Sequence, residues 1–104
     1  MAAYVIADIA GVTDAEKIAA YRELSTRATA AGGGRFVARG GQVDVFEGNW
    51  RPERIVIIRF DDMDAARRYY DSEQYRQARA TRAGATAQFN MICVEGLADE
   101  EKGQ

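Results

Sequence analysis

The chain alternates between two hydrophobic rhythms. Residues 3–9 (AYVIADI) alternate at the period of a strand and are rich in β-formers. Thr13–Asp14–Ala15–Glu16 has the form of a capping box, with Thr13 as N-cap, and predicts a helix that runs to about Ala31. Its apolar stripe is Ile18, Tyr21, Leu24 and Ala28, and Gly32–Gly33–Gly34 stops it. Residues 35–39 and 42–47 alternate again around Gly40–Gly41. That pattern predicts a hairpin, or one long strand bent at a glycine bulge. A loop from Gly48 to Glu53 leads into a strand at 54–60. Asp61 or Asp62 caps a helix through Tyr70, and Ser72 caps a second helical piece that ends near Ala83. Gly84 breaks it, and residues 86–95 form the last strand.

The order β-α-β-β-α-β is the ferredoxin-like arrangement, α+β, with two helices on one face of an antiparallel sheet. Strand 54–60 is apolar on both faces: Val56, Ile58 and Phe60 on one, Ile55 and Ile57 on the other. Strand 3–9 behaves alike, since Tyr4 and Ile6 oppose Val5, Ala7 and Ile9. Helices cover only one face, and a sheet with its second face in water should be polar there. The expectation is a homodimer through the face bearing Ile6, Ile55 and Ile57.

Composition narrows the chemistry. The 104 residues form one domain, expected over 1–96 with an acidic tail at 97–104. There is no histidine and a single cysteine, Cys93, so His-based triads, His metal sites and disulfides within the chain are excluded. No metal, haem or other cofactor is expected. A net charge of −2 argues against nucleic acid, and no apolar run is long enough for a membrane span. Without a signal-peptide pattern, the expected location is the cytoplasm. The basic helical segment with Arg67, Arg68, Arg76, Arg79 and Arg82 reads as a solvated face, and Cys93 as a small buried residue.

Four groups of residues could carry chemistry. Trp50, Arg51, Pro52 and Arg54 hold the only Trp and the only Pro. Pro52 stiffens the loop, Trp50 offers an apolar wall, and Arg51 or Arg54 could bind an anion. The alternative is an edge cover with Arg54 paired to Glu47 or Glu53. Arg35 and Arg39, two strand steps apart, are expected to share a face and form a second anion contact. Tyr70 and Tyr75 bracket a helix break; Tyr70 could move a proton and Tyr75 contact a ligand, or both could be core. Asp8 interrupts an apolar strand and is a candidate general base, or a strand-end partner of an arginine.

YVIADI at 4–9, GGRFVARGG at 33–41, VFEGNWRPERIVIIRF at 45–60 and AARRYYDSEQYRQA at 65–78 together resemble an uncharacterised, mainly bacterial family. It is domain of unknown function number thirteen-thirty, of the dimeric α/β-barrel superfamily, and the resemblance spans residues 4–96. It implies a ferredoxin-like subunit that pairs face to face into a barrel. It implies no reaction, because superfamily members include cofactor-free monooxygenases, lactone isomerases and haem enzymes. Three functions compete: a small-molecule binder that recognises a small organic anion, a cofactor-independent isomerase or monooxygenase-like enzyme, and a structural dimer module.

Overall fold

The computed structural model describes residues 1–98. The segment expected to be an acidic tail, 97–104, therefore lies mostly outside the described residues. Strand β1 (Ala3–Val12) is followed by helix α1 (Ala15–Ala31), strands β2 (Arg35–Arg39) and β3 (Arg54–Phe60), helices α2 (Met63–Asp71) and α3 (Glu73–Arg82), and strand β4 (Thr86–Glu95). The strands form one antiparallel sheet in the order β2-β3-β1-β4. This is the ferredoxin-like arrangement, its second helix split in two.

Local chemistry sets the helix ends. Asp14, not Thr13, caps α1: its carboxylate accepts the Lys17 amide at 3.1 Å, while the Thr13 hydroxyl donates to the Gly84 carbonyl at 3.3 Å. The capping motif is thus shifted by one residue, because Asp is as good an N-cap as Thr. Asp62 caps α2 by accepting the Ala65 amide at 2.7 Å. Ser72 separates α2 from α3. Its hydroxyl donates to the Tyr69 carbonyl at 2.7 Å and accepts the Tyr75 amide at 3.1 Å, so one side chain ends one helix and starts the next.

The helices cover the sheet face that carries Val5, Ala7 and Ile9 of β1 and Val56, Ile58 and Phe60 of β3. Phe60, Tyr69 and Tyr75 fill the centre, with ring centroids 4.9 Å (Phe60–Tyr69) and 4.7 Å (Tyr69–Tyr75) apart. Leu24, Phe36, Phe89, Met91 and Cys93 pack around them, half-buried. The Cys93 thiol lies 3.5 Å from the Met63 sulfur, and burial pushes its pKa up, as suits a packing residue.

Two expectations fail between β2 and β3. Residues 42–47 form no strand, and every residue from 40 to 51 is exposed. Gly40, at φ +72°, donates its N–H to the Ile55 carbonyl, and the chain then leaves the sheet instead of turning back at Gly40–Gly41. The alternating pattern is real, but nothing among the described residues pairs with it. The second correction concerns Arg35 and Arg39. Arg35 pairs with Arg59 and Phe36 with Ile58, whereas Ala38 pairs with Ile57 and Arg39 with Val56. Val37 is a β-bulge, and one extra residue inverts the parity of all that follow. Arg35 therefore belongs to the open face of the sheet and Arg39 to the helix-covered face.

Candidate functional site

The bulge delivers Arg39 to a cavity between α1 and the sheet. The cavity holds about 30 Å3, is walled by Val5, Ala7, Ile18, Val56 and Ile58, and is bordered by Arg22, Arg39 and Arg54. Arg54 is at an even position of β3, in phase with Val56 and Ile58, so it points to the covered face. Arg22 follows Tyr21 on α1. Arg39 is fixed by the Arg22 carbonyl at 3.2 Å and the Thr26 hydroxyl at 2.8 Å, and its guanidinium lies 3.8 Å above the Phe36 ring.

No carboxylate pairs with any of these three guanidiniums among the described residues. Burial, and then the Arg22 and Arg39 cations, lower the pKa of Arg54 from its usual value. Glu53, a possible partner on sequence grounds, instead accepts the Gly11 amide at 2.9 Å. Gly40 makes room for Arg54, since a Cβ there would collide with the guanidinium. Three convergent cations beside an apolar hollow form a site that can take an anionic group.

The rest of the expected rim goes elsewhere. Arg51 donates to the carbonyls of Gly48 (2.9 Å) and Trp50 (3.1 Å) and so ties its own loop. Trp50 lies over the open face, its indole N–H donating to Asp8 Oδ2 at 3.2 Å. Gln88 donates to the same oxygen at 3.0 Å, and Asp8 Oδ1 is buried with no partner among the described residues. Asp8, flanked by Ile55 and Asn90 in the register, is thus on the face opposite Arg54. A small ligand at Arg54 does not reach Asp8 of the same chain.

The tyrosines divide similarly. Tyr75 is fully buried, and its hydroxyl is 2.8 Å from that of Tyr21, which lines the cavity. Burial, then the neighbouring Tyr21 and Tyr69, raises the pKa of Tyr75; burial raises that of Tyr69 to about 12. Tyr70 is 40% exposed and stands in a different hollow, a groove of about 260 Å3 beside β4. Arg79 lies 4.2 Å from the centroid of Tyr70, and Arg82 lies 3.5 Å from that of Phe89. These two arginines, expected on a solvated face, cover aromatic rings instead, with buried Nε atoms. No group of three His, Cys, Asp or Glu side chains able to hold a metal occurs among the described residues. No helix among them is long and apolar enough to cross a membrane.

Of the expected binding residues, Arg39 and Arg54 come together at the cavity. Arg35, Trp50 and Arg51 do not join them, and Tyr75 reaches it only through Tyr21. Arg22, Tyr21 and Ser25 were missed as site residues. Ser25 and Thr29 continue the Tyr21 stripe at steps of four and are buried, so spacing could have revealed them where polarity hid them.

The family model described as "Domain of unknown function (DUF1330)" matches residues 2–97. The chain belongs to this family. No curated protein matches the chain. Among solved structures, it is similar to a protein of unknown function from Rhodopseudomonas palustris, with a TM-score of 0.73, 18% identity, and coverage of 93% of this chain and 83% of that one. A dimeric ferredoxin-like protein of unknown function from Jannaschia sp. CCS1 gives a TM-score of 0.73 at 12% identity, covering 92% of this chain and 100% of that one. A candidate antibiotic biosynthesis monooxygenase from Caulobacter crescentus CB15 gives 0.60 at 13% identity, covering 93% and 91%. At such identities the likeness establishes the ferredoxin-like fold.

Proposed function

We propose that the protein is a homodimeric small-molecule-binding protein that holds a small organic anion at Arg22, Arg39 and Arg54. The observation that carries this reading is the meeting of three guanidiniums, unpaired with carboxylate among the described residues, at the mouth of an apolar cavity. Cations left this way repel one another, and an anion relieves the repulsion. The cavity itself has room for about one water. The carboxylate therefore sits at the mouth, and the apolar part of the ligand enters by displacing Met91 and Phe36, of which Met91 is the more adaptable. The homodimer forms through the open face with Ile6, Ile55 and Ile57, a reading supported by the dimeric description of the Jannaschia relative.

A thermal-shift screen of small organic acids, with inorganic phosphate alongside, tests this. At least one acid should raise the melting temperature of the wild type. Arg54→Lys keeps the charge but loses the fork, and should weaken binding about ten- to a hundred-fold, the worth of one charged hydrogen bond. Equal binding by wild type and Arg54→Met, or no binding across the panel, rejects the reading.

A second reading, a cofactor-independent isomerase or monooxygenase-like enzyme, is favoured by the Tyr21–Tyr75 hydroxyl pair at 2.8 Å. Tyr21 can donate to a carbonyl in the cavity while Tyr75 donates to Tyr21. Under this reading Tyr21→Phe removes turnover and leaves anion binding intact.

A further inference from the structure

Two hollows on the helix-covered face share a wall. The cavity bordered by Arg22, Arg39 and Arg54 holds about 30 Å3 and reaches Phe89 and Met91 of β4. The groove beside α2 holds about 260 Å3; it starts at Met91 and continues past Cys93 to Ala66 and Tyr70. Phe89, Met91 and Cys93 alternate along β4, so they stand in line on one face. Phe89 borders the cavity, Cys93 the groove, and Met91 and Val5 both.

The wall is soft at one place. Phe36 is stacked beneath the Arg39 guanidinium at 3.8 Å, and Phe89 beneath that of Arg82 at 3.5 Å. Tyr21 is bonded to the buried Tyr75. Met91 is held by a 3.8 Å contact between its sulfur and the Tyr75 hydroxyl. A thioether is a weak acceptor on a flexible side chain, so Met91 is the group that yields.

We propose that Met91 is a gate, and that with it displaced the two hollows become one tunnel for a medium-chain carboxylate, its head at Arg22, Arg39 and Arg54 and its tail in the groove beside Tyr70 and Cys93. This deepens the anion-binding reading and rests on it. Charge sets the direction. The cavity end has three guanidiniums unpaired with carboxylate among the described residues, whereas at the groove Arg67 is paired with Asp64 at 3.0 Å and Asp71 stands beside it. Length sets the class. Arg54 is level with Ile9 and Cys93 with Val5, on the two strands that flank β1. The ends are thus about 13 Å apart along the strands and about 10 Å across them, roughly 16 Å in all. An extended chain of about twelve carbons covers that distance. Volume agrees, since a cavity of about 150 Å3 takes up benzene and a groove of about 260 Å3 therefore has room for about ten carbons. The cavity alone, with space for about one water, has no room for a tail.

Cys93 is the only cysteine and stands at the far end of the tunnel, so it reports the tail directly. Straight-chain acids from butanoate to hexadecanoate, each kept below its micelle concentration, are titrated against the wild type, and iodoacetamide labelling of Cys93 is timed with each. Affinity should rise roughly three- to fourfold per methylene and level off near fourteen carbons. Dodecanoate should slow the labelling at least about tenfold and butanoate should not, and Arg54→Met should abolish both the binding and the protection. Acids that bind equally at every length and leave Cys93 unprotected overturn the tunnel and leave the anion site standing. Protection by dodecanoate that persists in Arg54→Met also overturns it, because the groove then holds the tail without the head. No binding by any acid overturns both. Met91→Phe puts a stiffer side chain in the wall and should flatten the gain with length. An undiminished gain rejects Met91 as the gate, and the labelling of the wild type decides the tunnel whether or not this variant folds.

Discussion

The two faces of the sheet are built from the same residue types and stand in opposite conditions. On the covered face Val5, Ile58 and Phe60 are 4%, 3% and 0% exposed. On the open face Ile6, Ile55 and Ile57 are only half-buried, and Ile92 and Val94 are 61% and 48% exposed. The covered face is completed by the chain's own helices. The open face has Trp50 over Asp8 and little more. Because the strands alternate, one set of dihedral angles serves both faces, and what distinguishes them is the partner supplied. The cavity with its three arginines belongs to the finished face. The uncovered isoleucines belong to the unfinished one.

The largest separation of the two faces comes from paired truncations. Ile58→Ala removes a side chain from the finished core and should cost about 2–5 kcal/mol of unfolding free energy at any protein concentration. Ile57→Ala, one residue away, should cost less in the single chain, and its effect should depend on concentration if the proposed contact between copies forms. Denaturant titration at two concentrations checks both. Equal, concentration-independent losses would erase the distinction between the faces.

Within the finished face, the hydroxyls give a smaller effect. Tyr75→Phe leaves Tyr21 without its bond and should cost about 1–3 kcal/mol. Tyr69→Phe removes a buried hydroxyl that makes no well-formed hydrogen bond among the described residues and should cost less than Tyr75→Phe. Both phenols have folded-state pKa values raised by burial. The folded state therefore holds their protons more tightly than the unfolded state. The stability they confer is complete below about pH 10, the ordinary phenol value, and is lost as pH rises toward 12 and beyond. Melting temperature against pH should fall in that window, and less steeply in Tyr69→Phe. A flat profile from pH 9 to 12 would contradict the burial assigned to these rings.

The smallest effect is expected at the arginines. The lowered pKa of Arg54 means that its charged form is disfavoured in the folded state, so at every pH below the ordinary arginine value it opposes folding. Arg54→Met should raise the melting temperature slightly in the absence of ligand, an effect diminished by solvent screening, while it removes anion binding. A lowered melting temperature with binding intact would make Arg54 a structural residue.

The sequence carried most of the fold because strand 54–60, strand 86–95 and the Ser72 break each have strong local signals. It also singled out Arg39 and Arg54, which the fold brings to one cavity. Three features escaped it for physical reasons. The bulge at Val37 is a property of hydrogen-bond register between strands, so local alternation placed Arg35 and Arg39 on one face. The 42–47 alternation promised a strand, but a strand exists only where something pairs with it. Trp50 and Arg54 are four residues apart, yet they serve opposite faces because the chain between them passes around the end of the sheet. Neighbours in a loop are not thereby neighbours in a site.

The uncovered isoleucines of the open face call for a second copy to cover them. Sedimentation of the wild type at micromolar concentration tests that most directly, with Ile57→Arg alongside. The expected result is a wild-type dimer that buries about 800 Å2 or more per subunit, and an Ile57→Arg protein that is monomeric or aggregated. A wild type that sediments as a monomer would contradict it.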